Sequence, residues 1–358
     1  MIKILVVDDS ALVRKLLGQV FAGQSDFEVK FARNGVEGLA QNKAFEPDVI
    51  TLDIHMPEMD GLECLDRIML ERPCPVVMVS SLTEEAAAAT LEALRLGAID
   101  VVTKPSGAVS LHIDAFGAQL VAKVRNAAKA KIRASLRLKE RVRKNAAGAK
   151  SSAQKARAGS VRTIEKAEGE GVVLVGASTG GPPALEALLT ALPADFAWPL
   201  IIAQHMPGSF TGALAKRLDR LCGLEVVEVT HAVRIKPGQA YIGHGDSDLV
   251  VARRGGRLVA TSVPSQADYL WHPSVDRLVR SALEHMEPSQ LIGVLMTGMG
   301  NDGASAMALL RERGGRTIAE SEETAVVWGM PGELVKAQGA DWVLPLPEIA
   351  ERLQRLTP

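Results

Sequence analysis

The 358-residue chain has almost no cysteine: Cys64, Cys74 and Cys222 stand far apart, odd in number and without a CxxC pair. That excludes a disulfide framework and a zinc ribbon and leads to the expectation of reduced thiols. Long apolar runs are also missing, since none approaches the ~20 residues of a spanning helix. In the opening MIKILVVDDS, acidic residues follow the apolar stretch at once and no small-residue cleavage site comes after it, unlike a signal peptide. These absences predict a cytoplasmic protein with no direct membrane insertion. What is there is the balance of an ordinary globular protein, 47% apolar and 23% charged. At about 150 residues per domain, the length predicts two domains.

A net charge of −1 hides a strong asymmetry, because residues 123–171 carry fifteen Lys or Arg against four Glu, while the remainder is acidic. The stretch is rich in Ala, Ser and Gly (NAAGAKSSAQKARAGS), nearly free of aromatics and too polar to bury a core, which marks a linker. Its first part, to about Lys144, has the composition to extend a helix. The expected division is a domain over 1–121, a basic linker over 122–170 and a second domain over 171–358. A signalling protein with a nucleic-acid-binding output is an alternative that would use this charge. No helix-turn-helix or aromatic platform accompanies it, so no nucleic-acid partner is expected.

Before the linker, short apolar runs (Ile4 to Val7, Val49 to Leu52, Val76 to Val79) alternate with helical patterns (Ala11 to Phe21, Glu84 to Leu96). Such βα repetition predicts a doubly wound (βα)5 domain, because parallel strands need crossovers and helices supply them. After the linker the same grammar returns with Val172 to Val175, Leu200 to Ala203 and Leu291 to Met296 as buried strands, followed by helices at about Pro182, Phe210 and Ala304. The prediction is a second α/β domain with a mostly parallel sheet. Gln239 to Thr261 reads as three short strands with a turn at Arg254-Gly255-Gly256, a small antiparallel insert.

Asp8 and Asp9 stand where the first strand gives way to a helix, and Asp53 ends the third run in LDIHMPEMDG. Ligands of doubly wound sheets bind at carboxyl ends of strands, where three carboxylates repel one another unless a hard cation such as Mg2+ neutralises them. Ser80 and Lys104 close two later strands. A hydroxyl and an ammonium beside a metal-bound carboxylate suit the oxygens of a phosphoryl group, with Asp53 as its acceptor. Taken singly, Asp9 or Ser10 caps a helix, Asp53 begins a loop and Lys104 is solvated. In order, VVDDS, TLDIHMPEMDG, VMVSS and VTKP resemble a response-regulator receiver domain. The resemblance implies phosphorylation of Asp53 by a histidine kinase, Mg2+ held by Asp8, Asp9, Asp53 and the backbone carbonyl of His55, and phosphate sensing by Ser80 and Lys104.

In the second half, VVLVGASTGGPPALEALL passes from a strand through a Gly-rich turn into a helix opened by Pro182 and Pro183. It reads either as a dinucleotide turn or, through Gly176-Ala177-Ser178-Thr179-Gly180, as a G-x-S-x-G nucleophile elbow. A dinucleotide fold of a nicotinamide-dependent oxidoreductase wants an acid at the end of the next strand. That strand instead reads LIIAQHMP and ends in Gln204 and His205, a candidate general base, and Asp302 follows the buried strand of LIGVLMTGMGND. A serine hydroxyl needs a base to take its proton and the base needs an orienting acid, in any sequence order. Backbone N–H groups near Thr179 and Met299 are the candidate oxyanion hole. Singly, Ser178 and Asp302 are helix caps and His205 is a bonded histidine at a sheet rim; His231, His244, His272 and His285 have no triad context.

GASTGG, QHMP and TGMGNDG, in this order, resemble the catalytic domain of the chemotaxis methylesterase family, CheB, over about Gly171 to Pro358. The resemblance implies Ser178 as nucleophile, His205 as base and Asp302 as its partner, with no cofactor in this domain. It implies as substrate the γ-methyl glutamyl esters of methyl-accepting chemotaxis receptors, deamidation of receptor glutamines in many members, and a receiver that covers the Ser178 cleft until phosphorylated. DYLWHPSVD departs from the family, placing Trp271 and His272 where members commonly carry Arg before PSVD; Trp271 is read as packing.

Overall fold

The computed structural model describes residues 1–81, 83–104, 113–130 and 171–358. The first half runs β1 (Ile2–Val7), α1 (Ala11–Ala22), β2 (Phe27–Ala32), α2 (Gly35–Phe45), β3 (Val49–Asp53), α3 (Gly61–Glu71), β4 (Val76–Ser80), α4 (Glu84–Leu96), β5 (Asp100–Thr103) and α5 (Ile113–Ala127). Its sheet has the order β2-β1-β3-β4-β5 with every pair parallel. The chain reverses winding direction at β1, so the carboxyl ends of β1 and β3 flank the crevice where such sheets bind ligands. β3 and β4 are buried along their whole length, as strands covered on both faces must be. Side chains of Ser10, Asn34, Asp60 and Thr83 cap α1 to α4, each accepting from the amide three residues on.

The second half runs β6 (Val172–Ala177), α6 (Gly181–Thr190), β7 (Leu200–Gln204), α7 (Gly208–Leu221), β8 (Glu225–Val229), β9 (Val233–Arg234), β10 (Gln239–Gly243), β11 (Ser247–Arg254) and β12 (Arg257–Pro264). It continues with α8 (Val275–His285), β13 (Leu291–Leu295), α9 (Ala304–Glu312), β14 (Arg316–Glu320), α10 (Met330–Lys336), β15 (Trp342–Leu344) and α11 (Leu346–Leu356). Seven parallel strands form the sheet β15-β14-β13-β6-β7-β10-β8, and β11-β12-β9 form a small antiparallel sheet. Both domains therefore have the expected α/β architecture.

One expectation is corrected. Gln239–Gly243 is not part of the antiparallel insert but lies between β7 and β8 in the large sheet, and the third insert strand is β9. Ala240 to Gly243 are buried without alternation, the mark of a strand covered on both faces, whereas β11 and β12 mix buried with half-buried positions and are exposed at their ends. The β11–β12 hairpin turns at Gly255 and Gly256, whose φ of +57° and +76° fit the two left-handed positions of its tight turn.

α5 continues through residue 121 to Ala127. The linker from residue 131 to 170, with its expected helical start to Lys144 and its proposed nucleic-acid contact, lies outside the described residues. The two domains meet through α4: Ala87 and Leu91 share one buried apolar cluster with Ala184 and Leu188 of α6 and Ala215 of α7. Arg217 of α7 lies 3.1 Å from Glu186 and 3.5 Å from Glu92 of α4. Among the described residues, no helix is long and apolar enough to cross a membrane.

At Gly61 the backbone of α3 presses on the end of β3, and a Cβ there would lie 2.0 Å from the Asp53 carbonyl oxygen. Gly61→Ala is expected to lower stability by about 1–3 kcal/mol, as overpacking does. Gly23→Ala, where the nearest atom would be 3.6 Å away, stays within about 0.5 kcal/mol of wild type. Urea denaturation of both variants checks this.

Candidate active site and acidic cluster

Asp8 and Asp53 are buried at the crevice, Asp9 is exposed beside them, and one carboxylate oxygen from each lies within 4.8 Å of the others. Lys104 Nζ stands 2.7 Å from Asp53 Oδ2 and 2.9 Å from Asp8 Oδ2. Lys104 Nζ thus pairs with both buried carboxylates. Burial pushes the Asp8 carboxyl above its ordinary value and the charge of Asp53 adds to this, against the pull of Lys104. Lys104 is also desolvated, but its contacts with Asp53 and Asp8 raise its pKa on balance. Three carboxylates whose oxygens lie within 4.8 Å of one another, faced by a single ammonium, fit a hard cation such as Mg2+. Ser80 is fully buried, accepts from the Thr90 hydroxyl at 3.1 Å and donates to the Ser81 carbonyl at 3.3 Å. His55 is exposed, and its side chain is not in the cluster.

The second site is built at the carboxyl ends of β6, β7 and β13. Register places Ala177 beside Gln204, and the His205 amide donates to the Ala177 carbonyl at 2.9 Å, so Ser178 and His205 leave neighbouring strands together. On the other side, the Ser178 amide donates to the Thr297 carbonyl at 2.9 Å. The residues that precede the helices after these turns, at their N-cap positions, are Gly180 and Gly303, both with positive φ and neither giving a side-chain cap. Ser178 and Asp302 therefore do not cap the helices that follow them, and their side chains are left for the site. Gln204 donates from Nε2 to the Ser178 carbonyl at 3.0 Å and braces the turn from beneath.

His205 Nε2 lies 2.8 Å from Asp302 Oδ2, with the two side chains 7% and 4% exposed. Asp302 is gripped from its other side by the start of α8: it accepts from the Ser274 hydroxyl at 3.0 Å and from the amides of Val275 at 2.7 Å and Asp276 at 3.0 Å. Burial alone would raise its pKa, but the hydrogen bond and charge of His205 and those amides outweigh it and hold the carboxyl below its ordinary value. The other ring nitrogen, Nδ1, is buried without a hydrogen-bond partner among the described residues. Ser178 and His205 line one cleft of about 340 Å³. No hydrogen bond joins Ser178 to His205 in this state; such bonds are often long before substrate arrives. No hydrogen bond from the amides of Thr179 or Met299 is present among the described residues.

The wall opposite is the first domain. Gln119, Ala122 and Lys123 of α5 line the same cleft. The Thr179 hydroxyl donates to Asp100 of β5, whose other oxygen is held by Lys123 at 2.6 Å, and Asn126 contacts the Met299 sulfur.

Several participants have no triad signature in sequence. Trp271, expected as packing, lies over the His205 ring with the planes 5° apart and the centroids 5.8 Å apart. Asp248, fully buried, binds His272 Nδ1 at 3.0 Å and Arg277 Nη1 at 2.5 Å. His244 pairs with Glu228 at 2.8 Å.

Residues 173–353 match the CheB methylesterase family and residues 4–115 the response regulator receiver domain. A protein-glutamate methylesterase/protein-glutamine glutaminase of Rhodopseudomonas palustris is 59% identical over 98% of this chain and 96% of its own length. Another bearing that name, from Rhodospirillum rubrum, is 52% identical over 99% of this chain and 95% of its own. The crystal structure of the Thermotoga maritima CheB methylesterase catalytic domain is 37% identical and aligns over 53% of this chain and all of its own, with a TM-score of 0.51.

Because the folded-state pKa of Asp8 is raised above 3.8, its ionised form opposes folding; the penalty is absent at low pH and grows as pH rises through the folded value. Asp8→Asn is expected to raise the melting temperature at pH 7 without Mg2+, and to lose the further rise that Mg2+ gives wild type. Thermal melts with and without Mg2+ check both. For Asp302, with its pKa lowered, the sign is opposite: its stabilisation is lost as pH falls below about 3.8 through the folded value.

Proposed function

The chain belongs to the CheB methylesterase family and carries a response-regulator receiver domain, and from that premise we propose that it hydrolyses glutamyl methyl esters, and deamidates glutamines, on methyl-accepting chemotaxis receptors under control of phosphorylation at Asp53. It is a protein-glutamate methylesterase acting in the cytoplasm. The observation that carries the reading is the bond between Asp302 and His205 Nε2, which leaves Nδ1 buried and without a hydrogen-bond partner among the described residues, on a residue that lines one cleft with Ser178.

In this reading His205 Nδ1 takes the Ser178 proton as Oγ attacks the γ-carbonyl carbon. The amides of Thr179 and Met299 receive the resulting oxyanion, a contribution typically worth about 10²–10³ in rate. The imidazolium returns its proton to the departing methoxide, so methanol leaves and a glutamyl ester of Ser178 remains. Water, deprotonated by the same nitrogen, then cleaves that ester to a free γ-carboxylate and regenerates the serine. With glutamine the leaving group is ammonia. Asp302 stays ionised throughout and stabilises the ring while it is charged.

Asp53 is the acceptor of the phosphoryl group from a histidine kinase, and Ser80 and Lys104 register it. Asp8, Asp9 and Asp53, with the His55 carbonyl, hold Mg2+, which when bound neutralises charge around the phosphoryl group. The catalytic domain needs no cofactor in this chemistry. In the unphosphorylated arrangement Asp100, Lys123 and Asn126 crowd Thr179 and Met299, so a bulky helical substrate is kept out; phosphorylation shifts the balance between docked and open packings.

Methanol release from methylated receptors tests the reading: Ser178→Ala is expected to lose about 10⁴-fold or more, and a retained rate would remove the nucleophile. A phosphodonor is expected to raise turnover of wild type but not of Asp53→Asn. Asp100→Ala, which frees the Thr179 hydroxyl, is expected to raise the unphosphorylated rate.

A further inference from the structure

One hydrogen bond, from Nε2 to Asp302, holds the imidazole of His205, and among the described residues its other nitrogen has no hydrogen-bond partner. Tethered through Cγ and bonded at Nε2, the ring can still rock about the axis between those two points. A second constraint is needed before Nδ1 points steadily in one direction. The indole of Trp271 lies against the ring face, parallel within 5° and with centroids 5.8 Å apart, within the range where aromatic faces attract.

Trp271 is itself held from two directions. A Cβ at Gly300 would lie 2.7 Å from Trp271 Cζ2, so the indole fits over that turn because position 300 has no side chain. The next residue, His272, is tied through Nδ1 to Asp248, which also accepts from the Ser274 amide at 2.8 Å. Residues 271–276 thus grip both members of the pair, with Trp271 on the imidazole and Ser274, Val275 and Asp276 on its carboxylate.

We propose that Trp271 is a positioning residue of the hydrolase, whose indole clamps the face of His205 so that the unpartnered nitrogen stays aimed at the Ser178 hydroxyl. This rests on the triad reading of Ser178, His205 and Asp302. The contact also favours the ring once it has taken the serine proton, because a cation gains from the electron-rich face of an indole. Its effect is on the chemical step. Misplacing a base by about 1 Å is enough to slow that step by up to about 10²-fold.

The test uses the full chain with saturating phosphodonor, comparing wild type, Trp271→Ala, Trp271→Phe and Trp271→Leu. One readout is kcat and KM for methanol release from methylated receptors; the other is the rate at which a small fluorophosphonate labels Ser178. Trp271→Ala and Trp271→Leu are expected to lower kcat and the labelling rate together, by about tenfold or more, with KM within about twofold. Trp271→Phe, which keeps a flat ring, is expected to stay within about threefold of wild type. The proposal is overturned if kcat is unchanged in Trp271→Ala. It is equally overturned if KM rises while kcat and labelling hold, which would make Trp271 a substrate contact, or if Phe fares no better than Leu. Ser178→Ala run alongside separates the two levels: loss of labelling there with no effect of Trp271 sinks only the clamp, whereas turnover retained without Ser178 sinks the triad.

Discussion

The proposed catalytic arrangement hangs on one buried contact, the carboxylate of Asp302 against Nε2 of His205. An ionised acid that is 4% exposed would be costly to keep unpaired. Here its oxygens accept from a hydroxyl, from two amides at the start of α8 and from the imidazole, and the positive end of that helix faces the charge. The carboxylate is thereby fixed before it meets the ring. That order matters, because a rigid acid selects which nitrogen of the imidazole it engages and, in the proposed triad, leaves the other for Ser178. The parallel sheet makes the meeting possible by bringing the ends of β6, β7 and β13 side by side.

Much of this was legible in the chain because strand ends are legible. Buried runs of four or five apolar residues followed by Gly-rich turns mark where a parallel sheet presents its loops, and Asp53, Ser178, His205 and Asp302 all follow such runs. What escaped was the identity of long-range neighbours. Nothing about Asp248 signals that it anchors the loop carrying Trp271, a contact 24 residues away closed by an irregular segment. Gln204 was visible only as the residue before His205, although its side chain supports the serine turn. Gln239–Gly243 was assigned to the wrong sheet because proximity to a hairpin in sequence outweighed its unbroken burial, which only the fold displays.

The relation between the two halves was beyond sequence pattern altogether. Asp100 and Thr179 are 79 residues apart with the linker between them, and no periodicity connects a strand end in one domain to a turn in the other. The contact is economical in its placement. A single carboxylate on β5 is held by Lys123 on one side and takes the Thr179 hydroxyl, next to Ser178, on the other, so β5 and α5 are joined directly to the Ser178 turn. The apolar contact of α4 with α6 and α7 adds burial and is flanked by the charged residues Glu92 and Arg217.

The most direct test of the account is the tautomer of His205, read from long-range 1H–15N correlations of the imidazole in the full chain above the pH at which the ring is neutral. The account predicts a proton on Nε2, shared with Asp302, and a bare Nδ1, with the pattern disturbed in Asp302→Asn. A proton resident on Nδ1 in the neutral ring would contradict it, because the nitrogen assigned to accept the serine proton would already be occupied.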